Sequence, residues 1–146
     1  MIKIYTDGSC IGNPGRGGWA AIIIENKKQK IISGSESYTT NNRMELIAVI
    51  KALKFVKKKE LSIITDSQYV KNGIEVWIFK WKKNGWMTAE KKPVKNKDLW
   101  LMLEKLSKNK KIKWEWVKGH SSDELNNKVD EIARSQANNI SYNEEI

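Results

Sequence analysis

The chain has 146 residues, 40% of them hydrophobic, which suits one domain with a sizeable core. A single cysteine, Cys10, and a single histidine, His120, exclude an internal disulfide and a Cys/His zinc site, so any metal must be held mostly by carboxylates, which select hard ions such as Mg²⁺ or Mn²⁺. Lys and Arg number 27 against 17 Asp and Glu, and the resulting +10, of which residues 80–118 carry +9, points to a polyanionic partner.

Taken in chain order, Ile2–Thr6 alternates and is rich in β-branched residues, so it reads as a strand ended by Asp7-Gly8-Ser9. Residues 12–18 form a Gly/Pro-rich loop, and Trp19–Glu25 is a second strand with a buried middle. A short polar turn over 26–30 leads as a hairpin into a third strand, Ile31–Tyr38. Asn42 is a candidate N-cap for a helix carrying Leu46, Val49, Ile50, Leu53 and Val56 at helical spacing. Leu61–Asp66 is a fourth strand ending in a carboxylate, and a helix follows over 67–74. Residues 75–98 hold three tryptophans and seven lysines and have no clear period. Leu99–Leu106 reads as a helix, Ile112–Val117 as a fifth strand, Asn126–Ala137 as a last helix and 138–146 as a flexible tail. The order β-β-β-α-β-α-β-α predicts a mixed α/β sheet, three antiparallel strands then parallel crossovers, with helices on both faces. The longest purely apolar run, Trp19–Ile24, is far short of the roughly 20 residues of a membrane helix. The N-terminus is polar by Asp7, unlike a signal peptide. A cytoplasmic monomer with no membrane contact is the expectation.

Ligands of open α/β sheets bind beyond the carboxyl ends of strands. The two Thr-Asp pairs, Thr6-Asp7 and Thr65-Asp66, fall at two such ends. If those strands are parallel neighbours, the carboxylates lie a few ångströms apart and need a cation or a shared proton. Taken singly, each acid has a plainer role. Asp7 and Asp66 can be turn residues, Asp130 can favour a helix N-terminus, and Glu45 can complete a capping box begun by Asn42.

Several longer motifs bear on that choice. They are Thr6-Asp7-Gly8-Ser9-Cys10-Ile11-Gly12-Asn13-Pro14-Gly15, Thr39-Thr40-Asn41-Asn42-Arg43-Met44-Glu45-Leu46 and Thr65-Asp66-Ser67-Gln68-Tyr69-Val70. Trp81-Lys82-Lys83-Asn84-Gly85-Trp86, Lys91-Lys92-Pro93-Val94-Lys95-Asn96 and Trp114-Glu115-Trp116-Val117-Lys118-Gly119-His120 follow in order. Together they resemble bacterial type 1 ribonuclease H, over about residues 2–135. The resemblance implies a ribonuclease H-like fold and an endoribonuclease that cuts the RNA strand of an RNA–DNA hybrid. It implies two Mg²⁺ ions, with Mn²⁺ as a substitute, and products with 5′-phosphate and 3′-hydroxyl ends.

By the same resemblance Asp7, Glu45, Asp66 and Asp130 hold the ions. Asp7 bridges both, Asp130 serves the water side, and Glu45 and Asp66 serve the leaving-group side. His120 matches a mobile histidine that assists proton movement or product departure. The loop after it, Ser121 to Leu125, departs from the usual Gly- and Pro-containing pattern, and Arg16 stands where Pro is common. Asn13, Asn41 and Gln68 match residues that read bases or sugars in the minor groove, with backbone near Cys10 and Gly12 meeting 2′-hydroxyls. Thr40, Arg43 and Asn96 match a pocket for one DNA phosphate, although Arg43 can also pair with an acid on its own helix. Trp77, Lys82, Lys83, Lys91 and Lys92 match a basic protrusion, about 77–97, that meets the DNA strand, although Trp77 can instead pack beneath it with Trp81. Two rival readings fit less well. A non-catalytic hybrid- or duplex-binding module explains the charge but not four matching acids. A transposase-core or junction-resolving nuclease lacks the Asn-rich and Trp/Lys segments.

Overall fold

The computed structural model describes residues 1–118 and 123–144, with side chains to 138. β1 (Ile2–Ile11), β2 (Gly15–Glu25) and β3 (Lys28–Thr39) form an antiparallel meander. β4 (Glu60–Thr65) and β5 (Lys111–Trp116) join it in parallel, giving the order β3-β2-β1-β4-β5. β1 is central, with its hairpin partner β2 on one side and the crossover strand β4 on the other. The β2–β3 hairpin closes with Glu25 opposite Lys28, and Asn26 and Lys27 both take positive φ, as a two-residue turn of the primed type requires.

The alternation of β2 sorts the core. Ala21 and Ile23 join the larger cluster with Ile4, Leu46, Val49, Leu53, Ile63 and Trp100, while Ala20 and Ile22 pack against Val129 and Ala133 on the opposite face. α1 (Asn41–Phe55) and α4 (Lys97–Ser107) belong to the first face, and α5 (Glu124–Glu144) covers the second. Helices therefore lie on both faces of the sheet, as the element order predicts.

Several boundaries differ from expectation. β2 begins at Gly15, inside the expected 12–18 loop, because Arg16 to Gly18 pair with β1 and Gly15, Gly17 and Gly18 pair with β3, and the β2–β3 ladder extends β3 back to Lys28. α5 begins at Glu124, two residues before Asn126. β1 does not end at Asp7 but runs four residues further, because β2 continues to pair with it as far as Ile11 opposite Arg16. The cap of α1 is Thr40, not Asn42: its extended backbone and hydroxyl, accepting from Arg43 N at 3.2 Å, satisfy one orphan N–H of the first turn. α5 runs to Glu144, through most of the stretch expected to be a tail. The segment without a clear period is ordered by its tryptophans. α2 (Gln68–Asn72), a π turn (Gly73–Trp77) and α3 (Ile78–Lys83) run on without a break. Trp86 and Met87 then pair back on Val94 and Pro93 as a small hairpin. Fully buried Trp100 lies against Gly73, where a Cβ would come within 1.9 Å of its ring.

Candidate active site

The register of β1 on β4 places the two Thr-Asp pairs. The parallel ladder pairs Tyr5 with Ile64, so two residues further Asp7 and Asp66 come side by side. Glu45 reaches the same point from α1. Gly8 lets that helix lie on the strand: a Cβ there would stand 2.4 Å from the backbone at Met44 and Glu45. The Gly8 N–H donates to Asp7 Oδ1 at 2.9 Å and also to Glu45 Oε1, so one backbone donor ties the two acids together. This contact, rather than a capping box, accounts for Glu45. Asp7, Glu45 and Asp66 each offer a carboxylate oxygen within 4.8 Å of the others.

Burial makes the cluster electrostatically tense. Asp7 is 4% exposed and Glu45 7%. Loss of hydration is the main cause that pushes Asp7 up to about 11, with the charges of Glu45 and Asp66 adding to it and contact with Asp130 raising it further. Glu45 is also raised, first by burial, although hydrogen bonds with Asp7, Gly8 and Ser67 oppose the shift. Carboxylates so placed share protons at neutral pH unless a cation sits between them. Hard oxygen donors in a buried cluster of like charge are a fitting donor set for Mg²⁺ or Mn²⁺.

Asp130, on α5, touches Asp7 but stands outside the tight group of three, with Oδ2 in an ion pair with Arg134 one turn further on. Asp123 precedes that helix, and its Oδ1 accepts from both Leu125 N and Asn126 N at 3.1 Å. Asn126, which the sequence marks only as a helix start, is 1% exposed and directs its amide nitrogen to Asp66 Oδ2 at 3.4 Å. His120 lies outside the described residues.

The remaining candidates fall into three groups. At the β1–β2 turn, exposed Asn13 accepts from Asn41 N at 3.0 Å, joining two of the amide residues, and Gly12 takes a φ of +69°. Cys10 is half-buried and its thiol donates to Thr39 O at 3.4 Å. Gln68 is exposed at the start of α2, two residues beyond Asp66.

The second group is Thr40, Arg43 and Asn96, which the fold brings together where α1 meets α4. Arg43 Nη1 donates to Asn96 Oδ1 at 3.2 Å. The acid that pairs with Arg43 is not on its own helix. Asp98 of α4 takes the guanidinium as a fork, at 3.0 and 2.8 Å, a partner 55 residues away that no sequence signal marks. Tyr69, equally unmarked, accepts from Asn96 Nδ2 and Trp100 Nε1, both at 3.0 Å.

The third group is the basic segment. Trp77 is half-buried and packs between Tyr69 and Trp81, with ring centroids 5.5 and 5.8 Å apart, as part of the packing beneath the protrusion. Lys82, Lys83, Lys91 and Lys92 are all exposed, and Lys82 pairs with Glu104 at 2.7 Å.

The sequence and the fold have counterparts among known proteins. The RNase H family profile matches residues 1–138. The chain belongs to the ribonuclease H family. Ribonuclease H of Ehrlichia chaffeensis is 55% identical over 136 residues, covering 92% of this chain and 93% of that one. Among solved structures, LC9-RNase H1, a type 1 ribonuclease H with the type 2 active-site motif, superposes with a TM-score of 0.83 at 27% identity, covering 94% of this chain and 72% of that one. The foamy viral protease-reverse transcriptase in complex with an RNA/DNA hybrid superposes with a TM-score of 0.72 at 25% identity, covering 93% of this chain and 20% of that one. Family membership makes this ribonuclease H a metal-dependent nuclease, and its fold is that of the type 1 enzymes.

Proposed function

We propose that this ribonuclease H hydrolyses the RNA strand of RNA–DNA hybrids with two divalent ions, leaving 5′-phosphate and 3′-hydroxyl ends. The observation that carries this reading is the convergence of Asp7, Glu45 and Asp66 within 4.8 Å, the first two buried and Asp66 half-buried, in a strongly basic protein. Without ions, four acids in that place would repel a phosphate. With two Mg²⁺ the four carboxylates are neutralised, and Mn²⁺ would serve in their stead. Bound ions supply a nucleophilic water and a counter-charge for the departing 3′ oxygen. Asp7, at the centre of the acids, would hold both ions, with Glu45 and Asp66 on the leaving-group side and Asp130, if released from Arg134, on the water side. His120 moves a proton or helps the product depart.

Asn13, Asn41 and Gln68 read the minor groove, where amides offer both donors and an acceptor to 2′-hydroxyls and base edges, and backbone near Cys10 and Gly12 approaches the RNA sugars. Thr40, Arg43 and Asn96 grip one DNA phosphate. Lys83, Lys91 and Lys92, with Lys82 and Trp77 beside them, follow the DNA strand. The foamy viral protease-reverse transcriptase, which contains this fold, forms a complex with an RNA/DNA hybrid, which supports the substrate. No helix among the described residues is long and apolar enough to cross a membrane. The reading is of a single-domain monomer acting in the cytoplasm. Incubation of a hybrid labelled on its RNA strand, with Mg²⁺ and with excess chelator, tests it. Cleavage only with Mg²⁺, to fragments that a polymerase extends from their 3′ ends, is expected. Cleavage that persists in chelator, or fragments with 3′-phosphates, overturns it.

A further inference from the structure

The buried side chain of Asn126 is not explained by the helix that carries it. Asparagine is a poor helix former, and the first turn of α5 is already capped by Asp123, which takes the N–H groups of Leu125 and Asn126. The side chain crosses instead to the acids. Its amide nitrogen lies 3.4 Å from Asp66 Oδ2, which fixes the sense of the amide because a carboxylate only accepts. Its amide oxygen is buried and has no protein partner among the described residues. Buried acceptors of this kind are normally satisfied by water or an ion. Divalent magnesium keeps several waters when carboxylates bind it, and those waters are strong donors.

We propose that Asn126 is a positioning residue of the metal centre, its amide N–H orienting Asp66 and its amide oxygen accepting a hydrogen bond from the hydration shell of the ion. This rests on the reading of Asp7, Glu45 and Asp66 as metal ligands and deepens it. The two ends of one amide thus serve the ligand and the ion's water, a division that neither an acid nor a hydrocarbon at this place can reproduce. Outer partners of this kind contribute about 10- to 100-fold to metal affinity.

The test uses the full chain, Mg²⁺ alone as the probe, and two substitutions. Asn126→Leu keeps the branched shape and removes both polar ends, and Asn126→Ala removes them in a smaller side chain that tolerates a different local packing. Mg²⁺ is titrated into each protein by calorimetry and by thermal melting, and kcat on a hybrid is then measured across Mg²⁺ concentration. The expected result is a Mg²⁺ midpoint raised about tenfold or more in the folded variants, with kcat recovering toward the parent value at saturating ion. A purely structural role moves the metal-free melting temperature and leaves the Mg²⁺ midpoint in place, and that outcome overturns the proposal. So does failure of both variants to fold, which assigns Asn126 to the core. Absence of any Mg²⁺ response in the parent overturns the underlying reading instead, so the two failures are distinguishable.

Discussion

Asp7 occupies a place poorly suited to a negative charge, and a metal-free protein must bear that cost. Its pKa lies far above the unfolded value of about 4, chiefly through burial and then through Glu45 and Asp66. A group raised in the folded state destabilises the fold above its unfolded pKa, and the penalty disappears as pH falls below it. Asp7→Asn should therefore abolish cleavage yet be more stable than the parent at pH 7 in chelator, by roughly 1 kcal/mol or more. The gain should vanish near pH 3 and shrink at saturating Mg²⁺, where only the parent gains binding stabilisation. Urea melts at both pH values check this, and an Asn variant no more stable than the parent at pH 7 contradicts it. At this scale the sequence is informative where a motif repeats. Two Thr-Asp pairs that follow β-rich runs point to each other, although β1 continues past the first to Ile11. It is silent on Asp98, Tyr69 and Asn126, whose partners lie 27 to 60 residues away and are chosen by tertiary packing.

Elements are legible by period and obscured by capping and aromatic packing. The strands alternate, and the apolar spacing of α1 shows plainly. Its start does not, since Thr40, Asn41 and Asn42 are all capping residues and only the extended backbone and hydroxyl bond of Thr40 decide among them. Thr40→Ala should lower stability by about 1 kcal/mol, while Asn42→Ala has no cap to lose, and chemical denaturation of the two variants separates them. The docking of α1 on β1 depends on Gly8. Gly8→Ala forces strand and helix apart where a Cβ would stand 2.4 Å from helix backbone. It should cost about 1–3 kcal/mol and weaken Mg²⁺ binding together, because the same approach holds Glu45 to Asp7. A Gly8→Ala protein with parental stability and Mg²⁺ affinity would show that the acids do not depend on that approach. The stretch over 75–98 resists a periodic reading because its order comes from Trp77, Trp81, Trp86 and Trp100 packing on one another.

For the whole molecule, the fold separates a buried acidic floor from an exposed basic border. Charge composition predicts a polyanionic partner but not which lysines meet it. The ion pair of Lys82 with Glu104 distinguishes it from Lys83, Lys91 and Lys92. Replacing those three by Ala should raise KM more than it lowers kcat. It should also flatten the log–log salt dependence of binding, by about 0.9 for each phosphate left without its lysine on a B-form duplex. An unchanged slope would leave them as a solvated face. The measurement closest to the central claim compares one sequence presented as an RNA–DNA hybrid and as a DNA duplex, both with Mg²⁺. Rapid cleavage confined to the RNA strand of the hybrid, abolished in Asp66→Asn, is the predicted result. Equal cutting of the duplex, or full activity in Asp66→Asn, would contradict the account.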